Sequence, residues 1–146
     1  MYQYILVIHI LAACIWTGGH LFLSIGLLPG SLAQRNINPI VEFESAYEKV
    51  GLPALAIQIL SGLWLAWQIT PDFSVWFAYD NPVSRLIIFK ISLLTVTALL
   101  ALDARLRIIP KLSMHNLTSL AWHIVAVTLI SILFVIVGVS FRFGGL

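Results

Sequence analysis

Charged side chains are scarce in this chain: they make up 10% of its 146 residues, whereas 60% of the residues are hydrophobic. A soluble domain usually carries about 25% charged residues, so this chain has too little polar surface to enclose a water-soluble core. Its formal net charge is only +2, and no cluster of basic residues suggests nucleic-acid binding. These absences exclude a soluble globular domain and argue against any nucleic-acid partner.

Sulfur ligands are scarce as well. Cys14 is the single cysteine, and Met1 and Met114 are the two methionines. One cysteine excludes an intramolecular disulfide and a cysteine-based zinc site. Thiolates and thioethers are the ligands that select Cu(I), so the composition does not support a relay of sulfur ligands for that ion.

Basic residues are absent from the first part of the chain, where nothing before Arg35 is lysine or arginine. The sequence Leu11-Ala12-Ala13-Cys14 looks like a lipoprotein processing box. A cleaved signal, however, needs a positively charged leading segment, and the apolar run continues far past Cys14. We therefore expect the first apolar stretch to remain in the protein as a helix.

Four apolar stretches are long enough to cross a bilayer, which takes about 20 residues. They cover residues 1–29, 50–70, 84–103 and 117–141. The sequence thus predicts an all-α integral membrane protein, a four-helix bundle forming one domain over residues 1–146. Its immediate partner is the lipid bilayer, and the sequence leaves a homo-oligomer open.

The predicted loops differ in charge and composition. Residues 30–45 contain the turn-rich Asn36-Ile37-Asn38-Pro39, and residues 41–49 could form a short interfacial helix. The second loop, 71–83, holds an aromatic belt of Phe73, Trp76, Phe77 and Tyr79. The third loop, 104–116, is basic. Because basic residues favour the cytoplasmic side, we predict that both termini face the periplasm across a bacterial-type inner membrane.

Ionisable groups inside membrane spans are costly and usually functional. His9, His20, Lys90 and His123 lie well inside the predicted spans, and Asp103 sits at a helix end. His9 and His20 are eleven residues apart, close to three helical turns, so they share a face with Trp16 but lie roughly 16 Å apart along the axis. His115 falls in the third loop and is expected to be an ordinary surface histidine.

Counting residues from the span ends suggests two levels. His20 and His123 have similar depth near one end, and His9 and Lys90 have similar depth near the other. We therefore predict that His20 and His123 point into the bundle together, that Trp16 walls this site, and that His9, His20 and His123 are metal ligands. Imidazole is the commonest metal ligand in proteins, and sites built from histidine alone suit Cu(II), zinc or haem iron.

Two observations bear on these ligands. Gln58 could accept the second N–H of a ligating imidazole, and Gly18-Gly19 would let a flat porphyrin approach the helix backbone. The alternative is structural, because histidines can also hold helices together by hydrogen bonds across a bundle. Lys90 could equally extend its ammonium towards the headgroups.

Two segments resemble a known family. The first runs His9-Ile-Leu-Ala-Ala-Cys-Ile-Trp16-Thr-Gly18-Gly19-His20, and the second runs from Lys90 to Pro110. Both are similar to the copper resistance protein D (CopD) family, and more distantly the chain resembles the HemJ-type protoporphyrinogen oxidases. In that second group, the histidine and lysine positions would fall on His9 and Lys90, whereas Asp103 stands where its members have a histidine.

The resemblance implies copper binding, transport or homeostasis first, and haem b binding second. Copper handling through His9, His20 and His123 is thus one hypothesis. A haem b redox protein acting on porphyrin or quinone is another, with Lys90 and Trp16 beside the cofactor. A structural subunit of a membrane complex is the third, and the sequence does not decide whether the chain is an enzyme.

Overall fold

The computed structural model describes residues 1–111 and 116–143, and these ranges are almost entirely helical. Four helices are long and apolar enough to cross a membrane. We name them in chain order: α1 is Tyr2–Gln34, α2 is Asn38–Ile69, α3 is Pro82–Lys111 and α4 is Leu117–Phe143. The predicted all-α membrane bundle is confirmed, while the side that the termini face and the single domain remain predictions.

Helix α1 changes its winding near its end. The α-helix Tyr2–Leu21 passes into a π-helical segment, Phe22–Leu27, and then into the α-helix Leu28–Gln34. Pro29 lies in the first turn of that last α-helix, where its missing N–H costs little. The sequence prediction ended this span at residue 29, and it was too short because the proline begins a new helical segment.

The connection between α1 and α2 is a tight turn rather than a long loop. Arg35 adopts a left-handed backbone conformation with φ of 49° and ends α1. The side-chain oxygen of Asn36 then accepts a hydrogen bond of 3.0 Å from the backbone N–H of Asn38. Helix α2 continues without a break and carries Pro53 in its interior. The predicted interfacial helix at 41–49 is therefore the first part of α2.

The connection between α2 and α3 packs back onto the helices. It contains one 3-10 turn, Val75–Phe77. Trp76 is buried, and its indole N–H donates to the carbonyl of Thr70 at 2.7 Å. Asn81 caps α3 by accepting from the backbone N–H of Val83. Of the four aromatic residues predicted to form a belt here, only Trp76 is buried.

Helices α3 and α4 are antiparallel neighbours. Helix α3 comprises the α-helix Pro82–Asp103, a second π-helical segment, Ala104–Ile108, and the 3-10 turn Ile109–Lys111. It therefore extends past residue 103, where the predicted span ended. Helix α4 comprises Leu117–Ser140 and the 3-10 turn Phe141–Phe143. His115 lies outside the described residues.

The packing order positions the candidate site. Helix α1 lies between α2 and α4, and α3 packs on α4. Two hydroxyl groups join α1 to α4: Thr17 donates to the carbonyl of Ser131, and Thr128 donates to the carbonyl of His20. An apolar core fills the half of the bundle that holds the α1–α2 turn and consists of Leu23, Leu28, Ile40, Ile108, Leu117, Leu120, Ala121 and Ile124.

Candidate functional site

His20 is the most unusual polar residue of the bundle. Both of its ring nitrogens are buried, and neither has a hydrogen-bond partner among the described residues. Buried polar atoms in folded proteins nearly always have such a partner, so an exception calls for an explanation. The ring is instead flanked by aromatic groups: the centroid of Trp16 is 4.4 Å away and that of Tyr47 is 5.9 Å away, both edge-on.

Tyr47 closes the His20 site from the side of α2. Its hydroxyl donates to the carbonyls of Ile15 and Trp16 at 3.1 and 3.0 Å, which anchors the ring against α1. Phe43 stacks on the outer face of Tyr47, with centroids 5.2 Å apart. The phenol is thus held in place by two carbonyls and a stacked ring, and its hydroxyl is not directed at His20.

Gly19 makes this arrangement sterically feasible. A Cβ added at Gly19 would overlap the ring of Tyr47, whereas a Cβ added at Gly18 would meet nothing. The sequence interpretation assigned the Gly18-Gly19 pair to a flat porphyrin. The structure fills the space beside Gly19 with the tyrosine ring, so this glycine has a packing role.

The glycine pair supplies a matched test of this packing. We expect Gly19→Ala to lower the stability of the purified protein by about 1–3 kcal/mol, the usual cost of overfilling a packed site. Gly18→Ala should leave stability unchanged or raise it slightly, because alanine favours helix over glycine. Thermal unfolding in detergent measures both variants. Equal Tm values for Gly18→Ala and Gly19→Ala would contradict the contact with Tyr47.

His9 forms a second polar level, between α1 and α2. Its Nδ1 lies 2.8 Å from the hydroxyl oxygen of Ser61. That hydroxyl donates its one proton to the carbonyl of Ile57, so it must accept from His9, and Nδ1 carries the proton. This assignment leaves the lone pair of His9 on Nε2. The sequence suggested Gln58 as a possible second partner of a ligating imidazole. Its side-chain oxygen is buried without a hydrogen bond in the described structure, and its backbone is what His9 meets.

Lys90 reaches the same level from α3. Its ammonium lies 5.4 Å from the ring centroid of Phe141 and close to Gly138. His9 is within electrostatic range of the lysine. In the described part of the chain, no carboxylate forms an ion pair with Lys90. This positive group therefore disfavours a second cation at His9.

His123 is engaged by its own partners. Its Nε2 lies 3.0 Å from a carboxylate oxygen of Asp103 on α3, and its Nδ1 lies 3.0 Å from the carbonyl oxygen of Ser119. The other carboxylate oxygen of Asp103 accepts from Arg107 at 2.9 Å. Both ring nitrogens of His123 thus face hydrogen-bond acceptors, and this pair joins α3 to α4.

The structure does not bring His20 and His123 together. Thr128 of α4 bonds the backbone of His20, and His123 precedes Thr128 by five residues, or roughly 7–8 Å along the helix. No hydrogen bond or ring contact between the two imidazoles occurs in the described structure. The shared site predicted from depth therefore has no direct contact behind it and stays a prediction, whereas the predicted contact of Trp16 with His20 is present.

Charged groups lie next to Tyr47, at the end of the bundle that holds the α1–α2 turn. Glu48 of α2 forms an ion pair with Arg105 of α3, both partly exposed. Glu44 lies one turn before Glu48 and is within electrostatic range of the same arginine. A surface pair of this kind contributes little to stability, but it joins α2 to α3 at this end of the bundle.

Sequence reasoning missed Tyr47 and Ser61, and it did not pair Asp103 with His123. Tyr47 lay in a stretch read as interfacial, and nothing in its local pattern directs it to Gly19. Ser61 is a lone serine in an apolar span, and such a residue carries no signal in the sequence. Within residues 1–111 and 116–143, no group of three histidine, cysteine, aspartate or glutamate side chains is arranged to hold a metal ion.

The family of the chain follows from comparison with known proteins. A family model described as copper resistance protein D matches residues 41–141, which is more than half of the chain. The chain belongs to the copper resistance protein D (CopD) family. No curated protein and no solved structure was found to match it. The resemblance to the HemJ-type oxidases has no support from these comparisons.

The CopD match covers α3 and α4 and nearly all of α2. Lys90, Asp103 and His123 lie inside the matched residues, whereas His9 and His20 lie outside them. The family therefore identifies a membrane protein related to copper resistance. It does not by itself assign a role to the histidines of α1, which rests on the geometry described above.

Proposed function

We propose that this CopD-family protein handles copper in the bacterial inner membrane and that copper, as its cargo, is bound at His20. The observation that carries the proposal is the buried imidazole with two unpartnered ring nitrogens. Leaving a buried donor or acceptor unpaired costs about 1–3 kcal/mol. In a protein of a copper-related family, a buried imidazole that bears this cost is a candidate ligand for copper.

The ligands available at His20 suit transient binding of a transported metal ion rather than permanent binding of a structural one. His20 offers a nitrogen lone pair, and its neighbours Trp16 and Tyr47 offer aromatic rings. A closed structural metal site would need several strong ligands, which the described residues do not supply. Conduction requires binding that is favourable enough for entry and weak enough for exit. One imidazole meets that requirement better than a full ligand set.

The level of His9 and Lys90 also suits transient contact with a transported ion. His9 keeps a lone pair on Nε2, and Ser61 holds its ring in place. The neighbouring positive charge of Lys90 prevents copper from being retained there. We therefore propose that His9 and Lys90 line the route and that His20 binds the ion transiently on its way through.

The expected cellular result concerns copper content. Cells that express the wild-type protein should differ in total copper from cells with an empty vector, and the His20→Phe variant should lose that whole difference. Phenylalanine keeps the ring beside Trp16 but has no nitrogen to bind copper. Elemental analysis of washed cells, normalised to the amount of protein in the membrane, measures the effect.

The matched control is Trp122→Leu, because Trp122 is 70% exposed on the lipid-facing side of α4. This variant should keep the wild-type copper content. If cells that express wild-type protein and cells that express His20→Phe contain equal copper, His20 does not handle the metal.

A further inference from the structure

We infer that the copper bound at His20 is monovalent, Cu(I), and that Trp16 contributes to holding it. The inference rests on the proposed function and specifies its cargo. Composition alone favoured Cu(II), since the chain has few sulfur ligands and sites built from histidine suit that ion. The structure changes that argument because the site offers one imidazole rather than several.

The coordination available at His20 is low. Tyr47 uses its hydroxyl on the carbonyls of α1, and Thr128 uses its hydroxyl on carbonyls of Ile124 and His20. Cu(II) prefers a tetragonal set of nitrogen and oxygen ligands, which these engaged groups do not provide. Cu(I) has a filled d shell, and it therefore tolerates two or three ligands without a fixed geometry.

The electrostatics also favour the lower charge. The cost of moving an ion from water into a medium of low polarity grows with the square of its charge, so it is about four times greater for Cu(II) than for Cu(I). No carboxylate contacts the His20 ring within the described ranges to offset that cost, and Glu48 is engaged with Arg105. A single positive charge is the one that this apolar site can accept.

Trp16 supplies the remaining attraction. It is 7% exposed, and its ring centroid is 4.4 Å from that of His20. The two rings form a T-shaped pair with their planes 71° apart, and in such a pair the edge of one ring meets the face of the other. With the imidazole edge against the indole face, a cation on an imidazole nitrogen would be attracted by the tryptophan, which attracts cations more strongly than the other aromatic residues do. Because the ring nitrogens of His20 are buried, the attraction is screened less there than in water. Trp16 thus acts as a cation-binding wall and not only as a barrier to solvent.

The test compares oxidation states on the purified full-length protein in detergent. Cu(I) affinity is measured without oxygen by competition with a chromogenic Cu(I) chelator, and Cu(II) affinity by competition with a chromogenic Cu(II) chelator. Ag(I) serves as a monovalent ion that does not change oxidation state. We expect Cu(I) and Ag(I) to bind at least tenfold more tightly than Cu(II), as a rough minimum for one additional buried charge.

Substitution of the indole gives the second readout. Trp16→Leu should weaken Cu(I) binding by about tenfold, the order of one desolvated cation–π contact, whereas Trp122→Leu should not change it. Folding is checked by circular dichroism, and the ion comparison on the wild-type protein stands even if Trp16→Leu fails to fold.

The possible results distinguish failure of the Cu(I) preference from failure of copper binding altogether. Cu(II) binding as tight as Cu(I) binding would overturn the inference and leave copper handling intact. Unchanged Cu(I) affinity in a folded Trp16→Leu protein would overturn the role of Trp16. If the wild-type protein binds neither copper ion nor Ag(I), the proposed function fails with it.

Discussion

His20→Phe should raise the stability of the purified protein while abolishing its copper binding. Phenylalanine keeps a ring between Trp16 and Tyr47 but removes two buried nitrogens that have no hydrogen-bond partner. Removing one such polar group relieves about 1–3 kcal/mol, so Tm in detergent should rise. Gains of this kind are expected where a residue serves function at the expense of stability.

A second variant guards this prediction. Because phenylalanine is larger than histidine, His20→Leu serves as a second variant in case the ring overfills the site. A structural histidine would behave in the opposite way, and both variants would then lower Tm. A lower Tm for both would therefore contradict the view that His20 is retained for its ligand chemistry.

Asp103→Leu should destabilise the bundle. His123 would then be left without its carboxylate partner between α3 and α4. Leaving one side of a partly buried hydrogen bond unpaired costs about 1–3 kcal/mol. Asp103→Asn keeps an oxygen acceptor and should cost less. Arg107→Ala removes a pair at the surface, where the arginine side chain is 81% exposed, and should cost about 0.5 kcal/mol or less.

A double variant separates the pair from other effects of the substitution. Asp103→Leu and His123→Phe together remove both partners, and replacing both is usually far less harmful than removing one. The double variant should therefore be more stable than Asp103→Leu alone. Additive losses in Tm from the two single variants would contradict a direct contact between Asp103 and His123.

The number and position of the helices could be predicted from the sequence because bilayer thickness fixes the length of an apolar span. The ends could not. Asn36 and Pro39 look like the centre of a loop, yet they form a turn and the first turn of α2. Pro29 looks like an end of α1, yet the π-helical segment before it lets the helix continue to Gln34.

These errors at the helix ends explain what was missed at the site. Depth was counted from Pro29, but α1 continues to Gln34, so His20 lies deeper in the bundle than the count suggested. The contact that the described structure gives His123 on α3 is with Asp103, a partner that the depth count did not suggest. The stripe that joins Trp16 to His20 depends only on helical periodicity, and that contact was predicted correctly.

The most direct test of the central claim is the copper content of the purified protein. Wild-type, His20→Phe and His123→Phe proteins are dialysed to equilibrium against saturating Cu(I) without oxygen, and bound copper and protein are then measured. The account predicts copper and protein in equal amounts for the wild type and for His123→Phe, whose histidine is engaged by Asp103 and Ser119. It predicts none above the buffer for His20→Phe, and equal copper in His20→Phe and the wild type would contradict it.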